Sequence, residues 1–106
     1  LNKELNRDVF VAIADPTRRK LIRILADERE LPLYKLTPHF QMGRTAVSKH
    51  LTILKEADLV QERKAGRETR YRMNAEPLKE VKDWLSYYEN FWNNNAARLK
   101  KLLGEE

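Results

Sequence analysis

The segment GRTAVSKHLTILKEADLV, Gly43 to Val60, carries two chemistries on one helical period. At about 100° per residue from Arg44, the side chains of Arg44, Lys55, Ser48, Thr52, Thr45, Glu56 and Lys49 fall within an arc of roughly 140°. Ala46, Val47, His50, Leu51, Ile53, Leu54 and Ala57 occupy the rest. That second side predicts a helix over 44–57 packed into a core, with Gly43 as its N-cap. The first side concentrates short hydroxyls and cations toward the N-terminus. Arg and Lys donate to guanine O6 and N7, Ser and Thr donate or accept, and a Thr methyl meets that of thymine. Short hydroxyls also let a helix approach phosphates closely. An ordinary solvated charged face has the same segregation, so this helix alone leaves both readings open.

The neighbouring segments narrow the choice. Leu33 to His39 reads as a short third helix anchored by Leu36 and closed by Phe40 and the turn FQMG. Pro38 is tolerable there only if the helix begins at Leu33 or Tyr34, where the missing N–H matters little. Short helix, turn and helix make a helix-turn-helix over 33–57. After Ala57 the period changes to two: Leu59–Lys64 and Glu68–Met73 read as strands, with Thr69, Tyr71 and Met73 alternating against Arg70 and Arg72. The intervening AGR is a tight hairpin turn in which Gly66 supplies positive φ. Such a hairpin over 59–73 is a wing. Its cations Arg63, Lys64, Arg67, Arg70 and Arg72 have the reach to contact phosphates or the minor groove. Protection of an exposed strand edge explains one or two of these cations better than five.

Upstream, Leu5, Val9, Phe10 and Ile13 predict a first helix from about Lys3 to Ala14. Asp15 as N-cap and Pro16 at the first position open a second, running to about Asp27. Its Leu21, Ile22 and Leu25 face inward, and Arg18, Arg19, Lys20 and Arg23 stay wet. Downstream, one long helix runs from Glu76 to about Leu103, with Pro77 at its first position. The order helix–helix–helix–helix–strand–strand–helix (α-α-α-α-β-β-α) predicts a mainly α, winged helix-turn-helix domain with a small β-hairpin, spanning 1–106 as one unit. Leu78, Val81, Leu85, Tyr88, Trp92, Asn95, Leu99 and Leu102 repeat at spacings of three and four, a heptad-like seam. Trp84, Tyr87 and Phe91 add apolar surface beside it. One small core cannot cover all of this. The excess predicts a homodimer interface formed by helices 1–14 and 76–103, with Leu5, Val9, Leu85, Tyr88, Trp92 and Leu99 in it. The alternative is a long helix folded back wholly on its own subunit.

Composition sets the outer limits. The 106 residues hold 21 Lys and Arg against 16 Asp and Glu, a net charge of +5 that suits a polyanionic partner. Cysteine is absent, which excludes disulfides, thiolate metal sites and thiol catalysis. No apolar run approaches the ~18–20 residues of a membrane span, and no signal peptide is recognisable, so a cytoplasmic protein is expected. The two histidines suggest no chemistry: His50 lies on the apolar side of its helix, and His39 ends a helix where partial positive charge is welcome. Without a paired base, nucleophile or phosphate loop, an enzyme is not expected.

Taken in order, ADPTRRKLIRIL, HFQMGRTAVSKHLTILKEADLV and RKAGRETRYRMN resemble the ArsR/SmtB family of winged-helix repressors, a match covering Val9 to Asn74. WLSYYENFWNNNAARLKKLL is similar to the last helix of a branch without a recognised metal site, which includes autorepressors. The resemblance implies a homodimer that binds double-stranded operator DNA and represses transcription. It puts Arg44, Thr45, Ser48, Lys49 and Thr52 in the major groove and the Gly66–Arg67 turn beside the backbone. Metal-sensing members carry a cysteine motif on the third helix, where this chain has PLYKLTPHF, or Asp, His, His and Glu on the last, which here has no histidine. Carboxylates alone make a poor transition-metal site, so neither a metal nor another cofactor is expected. Two functions stay open: a dimeric repressor on an inverted-repeat operator, or a winged-helix protein-interaction module without DNA binding. The hydroxyls and cations at the start of the fourth helix, with the basic wing, favour the first. Any small-molecule or protein effector is left unspecified.

Overall fold

The computed structural model describes residues 8–104, with the side chain of Ala96 excepted. Leu5, and the part of the expected first helix before Asp8, lie outside the described residues. Helix α1 spans Val9–Ala12, capped by Asp8, whose carboxylate accepts from Phe10 N at 2.8 Å. Helix α2, Pro16–Glu28, begins on Asp15 and Pro16 as its sequence demands. The Asp15 carboxylate accepts from Thr17 N at 2.8 Å and Arg18 N at 3.2 Å, satisfying donors that the first turn leaves free. Strand β1 is Leu31–Pro32, and α3 is Leu33–Leu36. Pro38 cannot donate to Tyr34, so the α pattern stops and Thr37–His39 continues as a 3-10 turn. Helix α4 is Arg44–Glu56, β2 is Val60–Ala65, β3 is Glu68–Met73, α5 is Leu78–Ser86 and α6 is Glu89–Leu102.

The fold is mainly helical with a small antiparallel sheet, ordered β1-β3-β2. The sequence-predicted hairpin is present, and β1 is an addition. Leu31 pairs with Tyr71 and Pro32 with Arg70. A strand of two residues has no readable period, and its proline is tolerated because it sits on an edge strand. Leu59 closes α4 rather than opening β2. Asp58 takes φ 59°, and Leu59 N donates to Leu54 O at 3.0 Å while Asp58 N donates to Lys55 O at 2.9 Å. This left-handed cap turns the chain sharply out of α4 and into the wing.

The core gathers Leu21, Ile22 and Leu25 of α2, Leu36, then Val47, Leu51 and Leu54 of α4, with Leu59 and Val60 beyond. Val9 joins it at 4 % exposure. That corrects its expected place at a dimer interface, since α1 has turned this side chain into its own subunit. Arg18 is likewise half-buried rather than wet. Its Nε donates to Ala12 O at 2.7 Å and its Nη1 to His50 Nδ1 at 3.1 Å, tying the end of α1 to α4. A guanidinium only donates, so His50 accepts here through Nδ1.

The long C-terminal helix is present with a tight turn inside it. Tyr87 N and Tyr88 N donate three residues back, to Trp84 O at 3.2 Å and Leu85 O at 2.9 Å. Ser86 Oγ donates to Asp83 O at 2.7 Å, drawing on a carbonyl of the preceding turn. These bonds separate α5 from α6 and interrupt the expected seam. Leu78 and Val81 pack on the core, whereas the described side chains of 82–104 are exposed. The Cα radius of gyration is 18.6 Å, against about 13 Å for a compact chain of this length. The C-terminal helix reaches away from the body.

The Asp15 cap gives a first expected result. Partial burial opposes its charge, but the N–H groups of Arg18 and Thr17 outweigh this and hold its carboxyl below the ordinary value. A lowered folded-state pKa contributes stability that is complete above about pH 4 and lost as pH falls through the folded value. Asp15→Ala should therefore cost about 1 kcal/mol at pH 7. In urea unfolding, the gap between variant and parent should close as pH approaches 3; a gap independent of pH would show that the charge contributes nothing.

Candidate nucleic-acid interface

Burial of Val47, Leu51 and Leu54 fixes the rotation of α4. The opposite side then presents Arg44, Thr45, Lys49 and Thr52, all exposed, and the half-buried Ser48. These five, with Leu33, line a shallow concavity of about 310 Å³. Thr52 Oγ1 donates to Ser48 O at 3.1 Å, so its proton is used within the helix and its lone pairs and methyl remain for a partner. Lys55 departs from the group: its Nζ lies 3.2 Å from Glu62 Oε2, fastening the end of α4 to the wing. Among the described residues, Arg44 and Lys49 make no side-chain hydrogen bond or ion pair.

The wing divides its cations by strand alternation. Glu62 lies opposite Tyr71 and Lys64 opposite Thr69, and the Glu62–Lys55 pair marks theirs as the α4 side. Gln61 opposite Arg72 and Arg63 opposite Arg70 lie on the other face. Two arginines directly across a ladder repel. Glu30 relieves this, accepting from Arg63 Nε at 3.0 Å and Nη2 at 2.6 Å while its Oε1 lies 4.0 Å from Arg70 Nη1. Arg63 beside it holds the Glu30 carboxyl below the usual range. Arg70 Nε also donates to Glu68 Oε1 at 3.0 Å, which lowers Glu68 in the same way. Arg72 Nη2 donates to Gln61 Oε1 at 3.1 Å. Of the five cations expected to reach DNA, Arg63, Arg70 and Arg72 thus have partners within the chain, and Lys64 and Arg67 have none among the described residues.

Glu30 escaped the sequence reading, and nothing local marks it. It follows a γ-turn at Arg29 (φ 67°, ψ −68°), closed by Glu30 N donating to Glu28 O at 2.7 Å. Only the pairing of β1 with β3 brings its carboxylate to the hairpin. Arg67 sits at the tip, where Gly66 takes φ 67° as the first central residue of the turn. Arg67 and Arg44 line one concavity of about 430 Å³, closed on other sides by α3 and Tyr71. The start of α4 and the wing tip therefore open on the same space.

Far from that space, α5 and α6 carry a chain of aromatic contacts. Phe10 meets Trp84 and Trp84 meets Tyr88, each edge-on at 5.5 Å, and Tyr88 lies 6.4 Å from Trp92. Tyr88 is 42 % and Trp92 52 % exposed, and Leu85 and Leu99 are exposed with them.

Residues 15–62 match the model of the bacterial regulatory proteins of the arsR family. The chain is 31 % identical over 88 residues to the transcriptional repressor SdpR of Bacillus subtilis, covering 83 % of this chain and 97 % of that one. The chain belongs to the ArsR family. Its relatives of known structure agree with this ArsR-family fold. A possible transcriptional regulator for arsenical resistance superposes with a TM-score of 0.72 at 33 % identity, covering 87 % of this chain and 96 % of that one. An ArsR-like transcriptional regulator from Rhodococcus sp. RHA1 gives 0.71 at 29 % identity, over 92 % and 88 % of the two chains. This ArsR-family member is a transcriptional regulator with a winged helix-turn-helix, not an enzyme. Among its described residues no helix is long and apolar enough to cross a membrane.

Proposed function

We propose that this protein is a homodimeric repressor that binds an inverted-repeat operator and acts in the cytoplasm, where the chromosome lies. One observation carries the reading: the cations of α4 and of the wing tip that have no partner among the described residues line two concavities that share Leu33 and Arg44. Thr45, Ser48 and Lys49 would meet base edges, Thr52 would offer its methyl and lone pairs, and Lys64 and Arg67 would meet phosphates. Arg63 and Arg70, bound to Glu30 and Glu68, would brace the wing. Two exposed C-terminal helices would pair across a two-fold axis. Two recognition helices would then enter successive major grooves roughly 34 Å apart, which requires an inverted repeat with that spacing between half-sites. The repressor role follows the name of SdpR. Thiolate capture of a metal or metalloid is unavailable to a chain without cysteine.

Lys49→Ala tests the base-reading part. Selected operator fragments should be bound more weakly by about 1–3 kcal/mol, with preference relaxed at one position. The melting temperature should stay near that of the parent, because Lys49 has no partner among the described residues. Mobility shifts across several salt concentrations provide the measurement. If the parent retards no genomic fragment at low salt, the DNA reading gives way to a protein-interaction module. If Lys49→Ala binds every sequence as the parent does, α4 does not read bases.

A further inference from the structure

The concavity between α3, the first turn of α4 and the wing has a chemistry that reading bases does not require. Arg44 enters it from α4, Thr37 from the turn after α3, and Arg67 and Thr69 from the wing. None of the four makes a side-chain hydrogen bond or ion pair among the described residues. Two arginines and two threonines brought to one concavity from three elements are a residue set suited to a phosphate. The space of about 430 Å³ falls within the range of small-molecule sites, roughly 300–1,000 Å³. It exceeds the needs of a bare oxyanion, and Leu33 and Tyr71 add apolar surface for the organic part of an ester. The acid on its wall, Glu68, accepts from Arg70 Nε at 3.0 Å, so its charge is matched from outside the space.

We propose that this concavity is a phosphate-ester seat in which Arg44 and Arg67 hold the charge and the Thr37 and Thr69 hydroxyls donate hydrogen bonds. Arg44 then serves the backbone instead of a base, which leaves base reading to the residues that follow it. One source of the ester is the DNA backbone, and in that respect the inference rests on the DNA-binding reading above. The other is a free phosphate monoester, which would occupy the same donors and displace DNA.

The test uses the full chain, with thymidine 5′-monophosphate and operator duplex as probes at matched ionic strength. Calorimetry of the parent with the monoester should show saturable binding at one site per chain. Arg67→Ala should weaken that binding about 10-fold or more, and Thr37→Val about 3- to 10-fold, by loss of charge-assisted hydrogen bonds. The monoester should also compete with duplex, and both variants should weaken all duplex sequences alike. Weakened duplex binding without monoester binding would support the seat with the backbone as its source. Variants that match the parent in both assays, with unchanged melting temperatures, would overturn it. Monoester binding by a parent that binds no duplex would support the seat and defeat the DNA reading alone.

Discussion

Trp92→Glu should convert a dimer into a monomer at micromolar concentration and abolish operator binding. Trp92 stands on α6, 52 % exposed, at the far end of the aromatic chain that begins with Phe10 and Trp84. Phe10 packs against the core of its own subunit, whereas Trp84, which meets it edge-on, and Tyr88, Phe91, Trp92 and Leu99 beyond it are all exposed. A second copy is the partner whose surface matches this one by symmetry. An unpaired carboxylate in such an apolar interface costs several kcal/mol, enough to shift association by orders of magnitude. Loss of the dimer removes the second half-site, and with it an avidity gain of about 10²–10⁴. Sedimentation of parent and variant, with retardation of the operator, gives both readouts. A parent that sediments as a monomer would sink the dimer proposal, and a dimeric variant would move the interface off Trp92. Zinc added to the parent should change neither result; a stoichiometric complex that releases DNA would defeat the expectation that no metal is sensed.

Leu51→Ala should have the largest effect on stability. Leu51 is 1 % exposed, two positions from Lys49 on the hidden side of α4. Removing three carbons from a packed site forfeits their transfer free energy and leaves a cavity, together about 2–5 kcal/mol. In a domain of this size each kcal/mol lowers the melting temperature by roughly 4–8 °C. A fall of about 10 °C or more is expected at fixed protein concentration, since association and folding are linked. Lys49→Ala should show the reverse pattern, with DNA affinity lost and stability kept. The pair tests the rotation of α4: equal melting temperatures for the two variants would mean that the helix is not packed by its Val47, Leu51 and Leu54 side.

Local chemistry was legible in the sequence because it depends on neighbours along the chain. The helical period placed Val47, Leu51 and Leu54 inside and Arg44, Thr45 and Lys49 outside. Asp15 and Pro16 opened α2, and Gly66 took the positive φ of the hairpin turn. The family resemblance rested on these same segments, and the arsR-family match over 15–62 agrees with it. The aromatic excess of the last helix was equally plain, although no period announced its turn at Tyr87–Tyr88, where the hydroxyl of Ser86 competes for a carbonyl.

What the tertiary structure alone decided concerns partners distant in sequence. Arg63 and Arg70 read as free wing cations until β1 paired with β3 and carried Glu30 to them, across 33 positions of chain in the case of Arg63. Arg18 read as wet until α1 and α4 closed around it, and Val9 as an interface residue until α1 turned it into the core. Periodicity assigns a side chain to a face, because backbone geometry repeats over a few residues. Whether a charge on that face remains free depends on which opposite charge the fold sets within about 4 Å, and no local window holds that distance.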